Sequence, residues 1–177
     1  MTTALILIDV QQGFDDADHF GKRNNPDAEA NIAALVRAWQ GPIVLVRHDS
    51  TEPDSPLAPS SPGNLFKPEV ASVRPDLLVT KSVHSAFHGE VDLHGWLTRH
   101  GIESFVLAGI QTNGCVETTA RVGGNLGYRV RVALDATFTF DMGELTADQL
   151  AAATATNLVG LGFAEVTTTE EVLATIG

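Results

Sequence analysis

Ala4-Leu5-Ile6-Leu7-Ile8-Asp9 is the stretch that decides the fold. Five apolar residues in a row, rich in β formers, have no polar face. A strand built from them needs cover on both sides, which is the condition inside a parallel sheet between helical layers. A carboxylate then follows at once. Outward from this strand the helical period appears. Ile32, Leu35, Val36 and Trp39 recur at helical spacing. Asn25 is the expected cap of that helix, Pro26 suits its first turn, and Asp27 and Glu29 favour its positive end. Gly41-Pro42 stops it, and residues 43–46 form a second apolar strand.

The alternation continues. Residues 77–80 read as a third strand. A helix over 91–99 presents Val91 and Leu97 inward and ends at Gly101. A fourth strand covers 105–110, and a helix over 115–126 ends at Gly127. A fifth strand covers 129–134. Thr146 caps an alanine-rich helix reaching about Leu161, a sixth strand covers 164–167, and a short helix follows. Strands separated by helices imply right-handed βαβ units and an α/β fold with a mostly parallel sheet. Residues 48–68 break the rhythm with Pro53, Pro56, Pro59, Pro62, Gly63 and Pro68. They read as a long surface loop, a kind of segment that often carries function.

Composition narrows the function. The 177 residues suit one domain over 1–177, and a formal charge of −11 disfavours nucleic-acid and anionic-membrane partners. One cysteine allows no intrachain disulfide. Met1-Thr2-Thr3 carries no basic segment, and no apolar run approaches membrane-spanning length. A cytoplasmic protein is expected.

In open parallel sheets, ligands bind beyond the carboxyl ends of the strands, where the winding reverses. Asp9, Lys81 and Cys115 stand at such ends. Each also has a plain structural reading: a loop-capping carboxylate, a surface lysine, a small buried hydrophobe. Cys115 follows Gly109-Ile110-Gln111-Thr112-Asn113-Gly114 at the expected start of a helix, where the backbone N–H groups and the dipole favour a thiolate. Gly109-x4-Gly114 lacks the Lys-Ser/Thr of a phosphate loop. Gly123-Gly124-Asn125-Leu126-Gly127 lies at a helix end rather than a strand–helix turn. His84 and His88 are spaced i, i+4, but the segment is too short for a zinc helix. His94 and His100 read as helix-surface residues. His48 and Asp49 end the second strand, within reach of a substrate.

These motifs resemble the isochorismatase-like cysteine hydrolase family over nearly the whole chain. The matching segments are 5–14, 81–87, 109–119 and 127–136. The resemblance implies a three-layer α/β/α fold with a six-stranded parallel sheet in the order 3-2-1-4-5-6. It also implies a catalytic triad of Asp9, Lys81 and Cys115, and a cis peptide between Ile110 and Gln111. The backbone N–H groups of Gln111 and Cys115 become the oxyanion hole. Gln11, Phe14, His48 and Phe140 are the expected pocket residues. In the first motif the chain keeps Asp9, Gln11 and Phe14 but has Gln12 and Gly13 where the family commonly has Asn-Asp. Arg47-His48-Asp49 breaks the Asp-x-His metal pattern of the nicotinamidase branch, so no metal and no other cofactor is expected. The branch that cleaves the vinyl ether of isochorismate lacks the nucleophilic cysteine, so Cys115 favours amide chemistry on a small molecule. The alternatives are a same-fold hydrolase of an ether or ester, a non-catalytic oligomeric binding protein, and a thiol redox sensor completed by a second subunit. The resemblance also implies a homo-oligomer, a dimer or tetramer. Iodoacetamide is expected to label Cys115 in the folded protein, more slowly after Asp9→Asn or Lys81→Ala.

Overall fold

Alternate side chains of the first strand, β1 (Thr3–Ile8), enter two different cores: Ala4, Ile6 and Ile8 one, Leu5 and Leu7 the other. That is why the strand has no polar face. In this computed structural model residues 2–176 are described. Met1 and Gly177, the two ends of the expected 1–177 domain, lie outside the described residues.

After β1 come α1 (Ala17–Phe20), α2 (Ala28–Ala38) and β2 (Ile43–His48). They are followed by α3 (Pro68–Ala71), β3 (Leu77–Lys81), α4 (Leu93–Arg99) and β4 (Ser104–Ile110). The chain continues through α5 (Glu117–Asn125), β5 (Arg129–Phe138), α6 (Ala147–Gly160), β6 (Glu165–Thr167) and α7 (Thr169–Leu173). The strands form one six-stranded sheet, ordered β3-β2-β1-β4-β5-β6, with every ladder parallel. Leu93 and Leu97 of α4, Ala120 of α5 and Leu158 of α6 cover one face. Ile32 and Leu35 of α2 and Val172 of α7 cover the other. Burying each such aliphatic side chain contributes roughly 1.5–3 kcal/mol. No helix among the described residues is long and apolar enough to cross a membrane.

Several local expectations change. Asn25 does not cap α2. Its backbone is left-handed (φ 43°), and its amide donates to the carbonyls of Asp135 (2.9 Å) and Thr137 (2.6 Å), tying the entry of α2 to β5. The N-cap is Asp27, without a side-chain bond. Val91 is exposed rather than inward, because α4 starts two residues later behind Asp92, whose carboxylate accepts from Gly95 N–H at 2.8 Å. Strands β2, β3 and β5 run further than expected, to His48, Lys81 and Phe138. Inside the 48–68 segment, Pro62–Asn64 make a 3-10 turn, and α3 starts at Pro68 with Val70 in the core. The segment also lies tightly on a second 3-10 turn, Gln12–Asp15: a side chain at Gly13 would come within 2.6 Å of the Pro56 carbonyl oxygen.

Candidate active site

Four neighbouring strands deliver one row of side chains. Lys81 ends β3, His48 ends β2, Asp9 follows β1, and Cys115 lies in the turn after β4. Register brings them level, since His48 pairs with Lys81 and Ile8 with Gly109. Gly109 has φ 124°, and a side chain there would overlap the Ile8 carbonyl oxygen, so only glycine lets β4 pass β1 at this point. Asp9 then turns off β1 with φ 49°, its N–H donating to Val46 O at 3.0 Å. A left-handed backbone at a non-glycine residue is uncommon, and here it accompanies the carboxylate's contact with Lys81.

Lys81 reaches past β2 to this carboxylate. Its ammonium donates to Asp9 Oδ2 at 2.7 Å and to Cys115 Sγ at 3.3 Å, and it lies 3.1 Å from His48 Nδ1. Both charged side chains are fully buried. Removing either one would leave an uncompensated buried charge, the costly way to break such a pair. Asp9 Oδ1 has no hydrogen-bond partner. Cys115 is not the first residue of a regular helix. It occupies a π-helical turn, Thr112–Val116, kinked at Gly114 (φ −113°, ψ −105°), and α5 begins at Glu117. Thr112 and Asn113 fasten this turn to β5 and the segment after it, through Thr112 Oγ1 to Thr137 (2.8 Å) and Thr139 Oγ1 to Asn113 (2.5 Å). The Ile110–Gln111 peptide is cis.

Opposed influences act on the Cys115 thiol. Burial pushes its pKa up, the Asp9 carboxylate pushes it further, and Lys81 only partly opposes them. Desolvation and the facing carboxylate oppose the pull of the backbone N–H groups at this turn. Burial, and next the Lys81 charge, hold the His48 imidazole below its ordinary value of 6.5. Asp9, His48 and Cys115 offer donor atoms within 4.8 Å of one another, a spacing a metal ion could bridge. The Lys81 ammonium contacts all three and takes the position a cation would need. The donor set therefore does not fit a resident metal while that lysine is charged.

Above the sulfur opens a cavity of about 530 Å³. Phe14, His48, Gln111 and Cys115 line it, together with His19, Phe20, Glu52, Asp54, Leu57 and His84. Gln11, an expected pocket residue, does not. It is wholly buried, its amide donating to the carbonyls of His48 (3.0 Å) and Asn64 (2.9 Å) and accepting from His48 N–H (2.8 Å). Gln11 thus positions the His48 backbone and the loop behind it. Phe140 also stands one layer back, stacked on Phe20 (5.0 Å between centroids) and Phe14 (6.3 Å). Asp49 pairs with Arg47 at 2.9 Å and accepts from Asn64, so it is not at the cavity. His88 lies apart from the cavity, and His94 meets Tyr128 at 2.7 Å on the surface.

His84 is the residue that sequence reasoning set aside. Its Nδ1 lies 3.6 Å from Cys115 Sγ, and unlike the buried Asp9 and Lys81 it is an exposed residue lining the cavity. The available signal was its place three residues after Lys81, just past the end of a strand.

A family model described as "Isochorismatase domain" matches residues 3–171. The chain is 34% identical to the uncharacterized isochorismatase family protein YrdC of Bacillus subtilis (strain 168) over 177 aligned residues, 96% of this chain and 94% of that protein. It is 29% identical to Nicotinamidase 3 of Arabidopsis thaliana over 176 residues, 91% of this chain and 82% of that one. Its fold matches the crystal structure of an isochorismatase-family protein from Chromobacterium violaceum ATCC 12472 with a TM-score of 0.92 at 38% identity, covering 99% of this chain and 94% of that chain.

Proposed function

The chain belongs to the isochorismatase family, and from that premise we propose that it is a cysteine hydrolase that cleaves a C–N amide bond of a small molecule through a thioester on Cys115. One observation carries this reading: a single lysine ammonium bonds both to a buried carboxylate (2.7 Å) and to the only sulfur nucleophile (3.3 Å), at the floor of a cavity. The amidase relative supports the bond class.

Asp9 takes the thiol proton as sulfur attacks the carbonyl carbon. The new S–C bond sends the C=O electron pair onto oxygen, where the N–H groups of Gln111 and Cys115 receive it. Losing one such donor typically costs ~100-fold or more in rate. Lys81 holds Asp9 in place and balances the negative charge as it moves between carboxylate and sulfur. When the intermediate collapses, the C–N bond breaks and the proton on Asp9 goes to the departing nitrogen. Water then gives a proton to Asp9 and its oxygen to the thioester carbon. The C–S bond breaks, sulfur regains its proton from Asp9, and the products are a carboxylic acid and ammonia or an amine. The upward push of burial and Asp9 on the thiol fits this order of events, in which the proton leaves as sulfur attacks.

Ammonia release from a panel of small amides and ureides tests the reading, with Cys115→Ala as the blank. Turnover that survives Cys115→Ala, or a Cys115 that iodoacetamide reaches only after denaturation, overturns it. The same reading carries a homodimer or tetramer in the cytoplasm, which sedimentation and cell fractionation test.

A further inference from the structure

The cavity over Cys115 is charged in one direction only. Its mouth is formed by two segments, residues 14–20 and 48–57. Of their acidic residues Glu52 and Asp54 line the cavity, Asp15, Asp16, Asp18 and Asp49 lie beside it, and neither segment carries a Lys or Arg. Some of these charges are already engaged: Asp15 pairs with Lys67, Asp49 with Arg47, and Asp16 accepts from His19 N–H. Glu52 and Asp54, which line the cavity, are different. Their carboxylates have neither a hydrogen bond nor an ion-pair partner among the described residues. Three imidazoles also line the cavity, His19, His48 and His84, and burial followed by the Lys81 charge lowers the pKa of His48. At the floor the ammonium of Lys81 is engaged by Asp9, whose own Oδ1 lacks a partner. A whole-chain charge of −11 adds to the same field.

We infer that the site selects small amides carrying a cationic group, an ammonium or amidinium, at the end remote from the scissile carbonyl, with Glu52 and Asp54 receiving that group, and that it rejects amides carrying a carboxylate. This inference rests on the hydrolase reading for the word amide, but its electrostatic part does not. Like charges in a walled cleft lower the local concentration of an anion and raise that of a cation, and the effect grows as ionic strength falls. Cavity walls of Phe14, Phe20 and Leu57 hold the apolar stem between the two polar ends.

Two measurements separate the charge preference from the chemistry. The first needs no turnover. Cys115 in the full chain is modified at low ionic strength by trimethylammonium-ethyl methanethiosulfonate and by its sulfonato-ethyl counterpart, with the rates normalised to a free thiol. The cationic reagent is expected to react at least about tenfold faster than the anionic one. In the Glu52→Gln/Asp54→Asn variant, whose substitutions are both exposed, that ratio is expected to fall several-fold. A ratio near one in the wild type, or a ratio unchanged in the variant, overturns the inference. The second measurement compares kcat/KM for butyramide, γ-aminobutyramide and succinamic acid, expected in the order cationic, neutral, anionic. Equal or greater turnover of succinamic acid overturns the charge preference. A retained reagent ratio with no ammonia from any amide leaves the charge preference standing and counts against the amide reading alone.

Discussion

Lys81 and Asp9 meet at one sulfur with opposite charge, yet removing either one should slow its alkylation. Lys81→Ala takes away the cation that favours the thiolate, so alkylation of Cys115 slows. Asp9→Asn takes away the carboxylate that receives the thiol proton, so alkylation slows as well. Both variants lose the proton relay and should lower kcat by about 100-fold or more. Iodoacetamide rates beside ammonia-release rates check the pair. A second expectation concerns Glu29. Burial alone would raise its carboxyl, but the Arg23 guanidinium (2.7 and 2.8 Å) and Lys67 (3.2 Å) outweigh burial and bring it from 4.5 down to about 2. A depressed carboxylate contributes stability above its unfolded value, and that contribution fades as pH falls through the folded one. The gap in Tm between wild type and Glu29→Gln should therefore hold above pH 4.5 and close between 4.5 and about 2. At this scale Asp9, Lys81 and Cys115 stood out in the sequence because each stands at or beyond the end of an apolar strand. The role of Gln11 was hidden: a buried amide serving two carbonyls and one N–H has the same letter as an amide facing a ligand.

Among the elements, periodicity located the strands and main helices, and tertiary contacts set their ends. β5 runs to Phe138 because, after the register shift beyond Leu107, Gly109 pairs with Thr137 and Ile110 with Phe138. No local pattern announces that extension. The turn around Cys115 reads in sequence as the start of a helix over 115–126; the kink at Gly114 and the bonds of Thr112 and Asn113 to Thr137 and Thr139 have no local signal. By contrast, the start of α6 is a wholly local signal. Thr146 accepts from Gln149 N–H (3.2 Å) while Gln149 Oε1 accepts from Thr146 N–H (2.9 Å), a complete capping box. Thr146→Ala should cost about 1 kcal/mol in urea unfolding and leave the alkylation rate of Cys115 unchanged. A change in that rate would mean that α6 supports the π-helical turn more directly than through packing.

For the molecule as a whole, the strand order follows from where chemistry meets topology. The order β3-β2-β1-β4 places Asp9 beside the turn that bears Cys115 and leaves Lys81 to cross one strand, which a lysine can do and a shorter cation could not. The uncompensated charge is equally global. With −11 distributed over 177 residues, self-repulsion should weaken the fold at low ionic strength. Raising salt from about 10 to about 150 mM shortens the screening length from roughly 30 to 8 Å and should raise Tm by a few degrees in thermal melts. One property of the sulfur reaches beyond turnover. Peroxides consume thiolates and largely spare thiols, and burial together with the Asp9 carboxylate pushes Cys115 toward the thiol form. A catalyst armed this way would be long-lived: idle, it offers oxidants almost nothing to attack, and its working lifetime would be shortened by use more than by waiting.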